Sequence, residues 1–371
     1  MREGGSRGPP RHGLPDVLPY TSRKSARPLI YVGPVVAGSD STPPLISLST
    51  YSYAAFGLTI GSDIDLDGFH LLASPPERYD VSVRVGSPPE SGDGDRRATA
   101  FAGGVLSACV AEGQEITVSP VDGVDPKYLS AVVTGELFSV LIRQRGLLVL
   151  HGSAVSKDGR AVGFIGDSGW GKSTLAASLV SRGWRLLTDD LLVIDGLRSD
   201  PSLRRPGASG TRAEASTRGR PPRVVPSHAS MRLSEAAVAT VDSASVRSGG
   251  RAHALTTKLR VDGSDVFSDR ETPLRHIFVL DPRPSKDHRT VLLSAREAAT
   301  QFIHHTRGQK LLYSARARVA HLGRCADLSR RVVASTLRRR DGLSELGELC
   351  DLVEFEGLGE PAGARRQTAS L

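Results

Sequence analysis

The sequence predicts an α/β fold organised around a phosphate-binding-loop core, with a small β-rich N-terminal domain before it and a helical C-terminal segment after it. Three observations point there. The runs LLVLHG (147–152) and AVGFI (161–165) are short and apolar, as strands buried on both faces are. A glycine-rich loop, GDSGWGKS (166–173), follows the second run directly. The next stretch places Leu175, Leu179 and Val180 on one helical face and stops at Gly183, a suitable cap. The length of 371 residues allows one large domain or two, and 39% apolar with 24% charged residues is a globular composition.

Read in order, residues 1–45 are rich in Gly, Pro, Ser and Arg without periodicity, so a disordered tail is expected. Residues 46–125 hold the strand-like runs YSYAAFGLTI, YDVSVRVG and TAFAGGVLSACV, separated by turn clusters, and form the β-rich N-terminal domain. The core that carries the glycine-rich loop is expected over 126–290. It begins with a helix to about Arg145, because Leu129, Val132, Val133, Leu137, Val140 and Leu141 recur at spacings of three and four. The polar turn SKDGR between the two apolar runs makes them a hairpin or adjacent strands. RLLTDDLLVID (185–195) reads as another strand interrupted by two carboxylates, and the Arg-rich stretch 198–223 as a mobile insertion. Short strands are expected at 256–261 and 276–280, the second closed by DPRP. The final segment, 291–371, reads as mostly helical, with a capping box at Ser294 and Glu297 and an amphipathic stretch from Leu328 to Leu352.

Composition narrows the function. The net charge is +8, yet only 7 of the 48 basic residues are lysine and the arginines are scattered. Aromatics are 5%, with no basic run interleaved with Phe, Tyr or Trp, which argues against a nucleic-acid surface. No apolar run is long enough to span a membrane, and the stretch 29–37 is broken by Pro34, a poor secretory signal. Cys109, Cys325 and Cys350 make neither an even disulfide set nor a metal-ligand spacing, so a cytoplasmic protein with ordinary buried thiols is expected. A homo-oligomer is compatible with the sequence.

The loop 166–173 matches G-x-x-x-x-G-K-[ST] at every fixed position, in the strand-to-helix context that gives the motif its meaning. Its backbone N–H groups and the helix N-terminus would cradle ATP phosphates through Gly166, Asp167, Ser168, Gly169, Trp170, Gly171, Lys172, Ser173 and Thr174. Lys172 would reach the β- and γ-phosphates, and Ser173 would hold Mg²⁺. Asp189 and Asp190 sit inside an apolar run, where an unpaired carboxylate would be costly to bury, and are the leading catalytic candidates. His151, where its strand ends, would gain a role by tuning Asp189 as a base. Lys258 and Arg275 are further candidates for phosphate or substrate contacts.

Over about 147–195 the chain resembles the bacterial HPr kinase/phosphorylase family. A histidine, a G-x-S-G-x-G-K-S loop and an Asp pair occur in that order, here His151, the loop with Gly166, Ser168, Gly169, Gly171, Lys172 and Ser173, then Asp189 and Asp190. The resemblance implies ATP-dependent phosphorylation of a serine hydroxyl, with Asp189 as base and Ser173 with Asp190 at Mg²⁺. The family's second signature has no counterpart after the Asp pair, and Glu214 is the nearest candidate for its downstream metal-binding Glu. YSYAAFGLTIGSDIDL, LIRQRGLLVLHGSAV and PLRHIFVL look more like the diverged HPr-kinase-like proteins found beside lasso-peptide and related peptide-modifying genes. Some of those phosphorylate the C-terminal region of a precursor peptide, which implies a peptide or small-protein substrate. Two other readings stand beside this one: a nucleotide-binding regulatory protein without transfer, and a small-molecule kinase.

Overall fold

A computed structural model of the chain describes residues 50–89, 105–197, 220–241, 247–253, 256–308 and 314–359, together with strand backbone at 30–31 and 97–102. The tail expected over 1–45 and the insertion expected over 198–223 fall outside these residues except at 30–31 and 220–223, and Glu214 falls outside them as well. The fold is mixed α/β with three sheets. The first has eight strands: β1 (Ile30–Tyr31), β2 (Tyr51–Ala55), β3 (Leu58–Ser62), β4 (His70–Leu71), β5 (Val81–Val85), β6 (Arg97–Ala102), β7 (Leu106–Ala111) and β8 (Glu115–Pro120). Their order is β1-β6-β7-β8-β5-β3-β2-β4. The alternating run YSYAAFGLTI becomes the β2–β3 hairpin, whose two-residue turn puts Phe56 at φ 57° and Gly57 at φ 68°. A left-handed phenylalanine is uncommon. It is held there by burial, its ring lying 5.7 Å from Phe69 and 5.9 Å from Phe138.

The helical periodicity over 126–145 is realised as α1 (Pro126–Val132) and α2 (Phe138–Gln144), joined by a π turn at Val133–Leu137. Asp125 caps it by accepting from the Lys127 N–H at 3.0 Å, and Pro126 starts it without needing a donor. Its apolar side carries Leu137, Phe138 and Leu141 into the core of the N-terminal sheet, which extends to Val149, Leu191 and Val193 of the next sheet.

That sheet contains β9 (Leu148–Lys157), β10 (Arg160–Ile165), β11 (Arg185–Thr188), β12 (Leu191–Asp195) and β13 (Arg223–Val225). Beside it lies a three-stranded sheet of β14 (Ser230–Leu233), β15 (Arg247–Arg251) and β16 (Leu259–Asp262), with α4 (Glu235–Thr240) between its strands. The central sheet is completed by β17 (Thr272–Pro284), β18 (Arg289–Leu292) and β19 (Val333–Arg339), in the order β10-β9-β12-β13-β17-β19-β18, with β10 and β17 also paired in parallel. SKDGR makes the hairpin between β9 and β10, turning at Asp158 (φ 51°) and Gly159 (φ 71°), as an Asp-Gly pair favours. Both faces are covered, which is why the runs read as continuously apolar. Val162 and Phe164 face α3 (Lys172–Val180) and α7 (Leu346–Leu358), while Ala161 and Ile165 face α5 (Ala295–His304) and α6 (Ala315–Arg331). No described helix is long and apolar enough to cross a membrane, and all three cysteines are buried and outside any disulfide.

Several expectations change. The stretch 328–352 is not one amphipathic helix, because Val333–Arg339 is strand β19, paired in parallel with β17 and antiparallel with β18. The C-terminal segment therefore adds two strands to the central sheet as well as helices. DPRP does not close its strand either: β17 continues through it to Pro284, with a register shift between Leu280 and Pro284 that accommodates the prolines. EITVSP, unread as a strand, is β8, and the strand expected at 256–261 begins at Leu259. The capping box is present: Ser294 accepts from the Glu297 N–H, and Glu297 accepts from the Ser294 N–H at 2.9 Å.

Leu337 of β19 is fully buried, so Leu337→Ala should cost about 2–5 kcal/mol and lower the urea midpoint without changing the slope. An unchanged midpoint would place this segment outside the core. Two core histidines make stability pH-dependent. His276, against Phe278, and His321, bonded to Thr306 at 2.7 Å, are pushed down to about 4 chiefly by burial. Between about pH 4 and the ordinary 6.5, the unfolded chain takes up protons that the folded chain refuses. Stability should fall as pH is lowered through that window, by up to about 1.4 kcal/mol per pH unit for each group. Urea midpoints at about pH 7 and pH 5 test it, with a flat profile as the contrary result.

Candidate functional site

The loop 166–173 leaves β10 at its C-terminal end and enters α3, and its glycines take conformations closed to other residues. Gly166, Gly169 and Gly171 have φ of 155°, 89° and 88°. A Cβ on Gly166 would stand 2.8 Å from the Trp170 ring. Gly171 is the N-cap of α3 and no side chain caps the helix, so its first N–H groups face the loop's hollow. Lys172 is buried behind the loop, where its ammonium donates to the Gly166 carbonyl at 2.8 Å and the Asp167 carbonyl at 2.9 Å. Burial lowers its pKa to about 8, while Asp189 and Asp190 oppose that shift.

RLLTDDLLVID splits at its carboxylates into β11 and β12, both paired with β9. Between them, the Leu191 N–H returns to the Asp189 carbonyl at 3.0 Å around Asp190 at φ 72°. This is the i to i+2 bond of a γ-turn, a strained conformation that aspartate tolerates better than most residues. The turn delivers both carboxylates to the loop. Asp189 is buried and accepts from the Ser153 hydroxyl at 2.6 Å, the Ser173 hydroxyl at 2.9 Å and the Arg232 main-chain N–H at 3.1 Å. Asp190 points the other way. It lies 3.1 Å from His151 Nδ1, 3.2 Å from Arg307 Nη2 and 3.7 Å from Arg232 Nη1. Burial would raise its carboxyl, but Arg307, His151 and Arg232 hold it well below the usual carboxylate range.

His151 lies between Asp190 and Lys172, with its Nε2 3.2 Å from the ammonium. Lysine has only donors, so Nε2 accepts and Nδ1 carries the proton toward Asp190. Burial lowers the pKa of His151, which favours the neutral ring. Gly152 follows because a Cβ there would meet the Phe164 carbonyl at 2.5 Å. Arg307 closes the cluster from the far side by pairing with both Asp190 and Glu136, each at 3.2 Å. Glu136 belongs to the π turn, and a Cβ on its neighbour Gly135 would lie 3.1 Å from Arg307. The helical irregularity thus serves the site, as π turns often do.

All the loop residues and His151, Asp189 and Asp190 are therefore brought together. The hydroxyl of Ser173 bonds Asp189 and not Asp190. Lys258 is close enough to lower the pKa of Lys172. Arg275 is not at the site: it is exposed on β17 beside the Ala161 end of β10, about 15 Å of strand from the loop. Sequence reading missed Ser153, Arg232, Arg307 and Glu136. It also missed Arg339 at the end of β19, whose guanidinium lies 3.6 Å from where a Cβ on Gly171 would stand. Beyond Arg232 opens a cleft of about 280 Å³ between α1 and the three-stranded sheet, lined by Asp67, Lys127, Arg251, Arg260 and Asp262.

No protein-family model matches the chain, and no curated protein matches its sequence. Among solved structures, the Hpr(Ser) kinase/phosphatase from Coxiella burnetii aligns with 57% of this chain and 90% of its own, at 14% identity and a TM-score of 0.27.

Proposed function

We propose that the chain is an ATP- and Mg²⁺-dependent kinase that phosphorylates a hydroxyl, a serine on a peptide or small protein. The observation that supports this best is the meeting of Lys172, Ser173, Asp189 and Asp190 at one strand-loop-helix junction. The residues suit both groups. The glycine cradle and uncapped helix end suit phosphates, and the Ser173–Asp189 pair offers the oxygen donors that Mg²⁺ prefers. When bound, Mg²⁺ and ATP supply the transferable phosphoryl group and the charge that neutralises it.

Lys172 would exchange its two carbonyl partners for phosphate oxygens, with Arg339 adjacent. Asp190 would orient the acceptor hydroxyl and accept its proton on Oδ2, the oxygen that lies 3.2 Å from Arg307 and 3.7 Å from Arg232. A low carboxylate pKa is compatible with this task, because transfer depends mainly on positioning and charge. His151 would fix the carboxylate through Nδ1. These assignments exchange the roles read from sequence, where Asp189 was the base and Asp190 the metal ligand. The 2.9 Å Ser173–Asp189 bond and the His151–Asp190 contact support the exchange. In the cleft Arg260 is paired with Asp67, which leaves Lys127 and Arg251 against Asp262 among the described residues, a small positive excess that favours an acceptor segment bearing carboxylates.

The test is transfer from γ-labelled ATP to peptides encoded by neighbouring genes. Asp190→Asn should lower kcat by about 10²- to 10⁴-fold with an unchanged Mg²⁺ requirement, whereas Asp189→Asn should raise that requirement. The opposite pattern would restore Asp189 as the base. Label on a metabolite and on no peptide would favour the small-molecule reading, and nucleotide binding without transfer the regulatory one. Lys127→Glu combined with Arg251→Glu should raise the KM for an acidic acceptor at least about tenfold with little change in kcat; equal KM values would remove the cleft from acceptor binding.

A further inference from the structure

Asp167, His304 and His305 bring three ligand atoms within 4.8 Å of one another beside the glycine-rich loop. We infer that this cluster is a binding site for a borderline divalent ion of the Zn²⁺ class, separate from the oxygen donors at Ser173 and Asp189. His305 Nδ1 and Asp167 Oδ1 are 3.6 Å apart, too far for a good hydrogen bond. Two ligands on one tetrahedral zinc stand about 3.4 Å apart, so a small shift admits the ion between them. Two imidazoles and one carboxylate form a donor set for zinc rather than for Mg²⁺, and they leave a fourth position open to water.

The site is anchored on its protein side. His305 is 3% exposed, its carbonyl accepts from the His151 N–H at 2.7 Å, and its ring meets the Trp170 ring edge-to-face at 5.8 Å. His304 is exposed at the last residue of α5, its ring edge-to-face with that of His305 at 4.8 Å. Asp167 is half-exposed. The second cluster of this kind among the described residues, His288, Glu345 and Glu348, differs in a decisive way: the Arg340 guanidinium already pairs with both of its carboxylates. An ion at Asp167 would tie the residue after Gly166 to the end of α5, joining the loop to a helix more than a hundred residues away in sequence.

The test uses untagged, nucleotide-free full-length protein titrated with Co²⁺ and followed by its visible ligand-field bands, then with Zn²⁺ as competitor. One equivalent of Co²⁺ should give four-coordinate bands that Zn²⁺ abolishes and that excess Mg²⁺ leaves in place. The bands should be lost in His304→Ala, an exposed position that the fold does not need, and in Asp167→Asn, and retained in His288→Ala. Absence of bands in the wild type, or their persistence in both His304→Ala and Asp167→Asn, overturns the site. Because the readout is metal binding without nucleotide, its failure is distinct from failure of the kinase reading.

Discussion

Everything at the candidate site depends on one electrostatic constraint, the burial of two adjacent carboxylates beside a lysine. Neither charge type could be desolvated alone, since an unpaired buried ion costs several kcal/mol. Asp189 is answered by two hydroxyls and a main-chain N–H, and Asp190 by His151, Arg307 and Arg232. Glu136 then balances Arg307. The chain accepts local strain to build this arrangement: a left-handed Asp190, a π turn at Val133–Leu137 and a glycine at 152 where only glycine fits.

The same constraint links the layers of the fold. Arg307 comes from beyond α5, Arg232 from the three-stranded sheet, Glu136 from the helix that packs the N-terminal sheet, and Asp190 from the break between two strands of the central sheet. Four elements meet in one charge cluster. The N-terminal sheet is therefore coupled to the site through the α1–α2 helix. Lys172 is satisfied by loop carbonyls, which leaves no unpaired ammonium at this point of the buried interior.

How much of this was legible in the sequence follows from range. The loop, the hairpin at Asp158–Gly159, the capping box at Ser294 and the helix over 126–145 rest on residues a few positions apart, and each is present. The Asp pair was visible because charge inside an apolar run is locally anomalous. Strand β19 was missed because VASTLRR has no clear alternation and follows a helix directly, so its identity comes from pairing with β17. Arg307 and Arg232 were invisible among scattered arginines for the same reason. The different partners of Asp189 and Asp190 also escaped, because adjacency in sequence does not say which way a γ-turn points each carboxylate.

The central claim is that this buried charge cluster is a nucleotide site in which Ser173 and Asp189 hold the metal and Asp190 faces the acceptor. A crystal structure grown with Mg²⁺ and a non-hydrolysable ATP analogue tests it most directly. The account predicts phosphates against the Gly169–Ser173 backbone, the Lys172 ammonium moved from the Gly166 and Asp167 carbonyls onto them, and the ion between Ser173 and Asp189. A nucleotide bound elsewhere, with Lys172 still on those carbonyls, would contradict it.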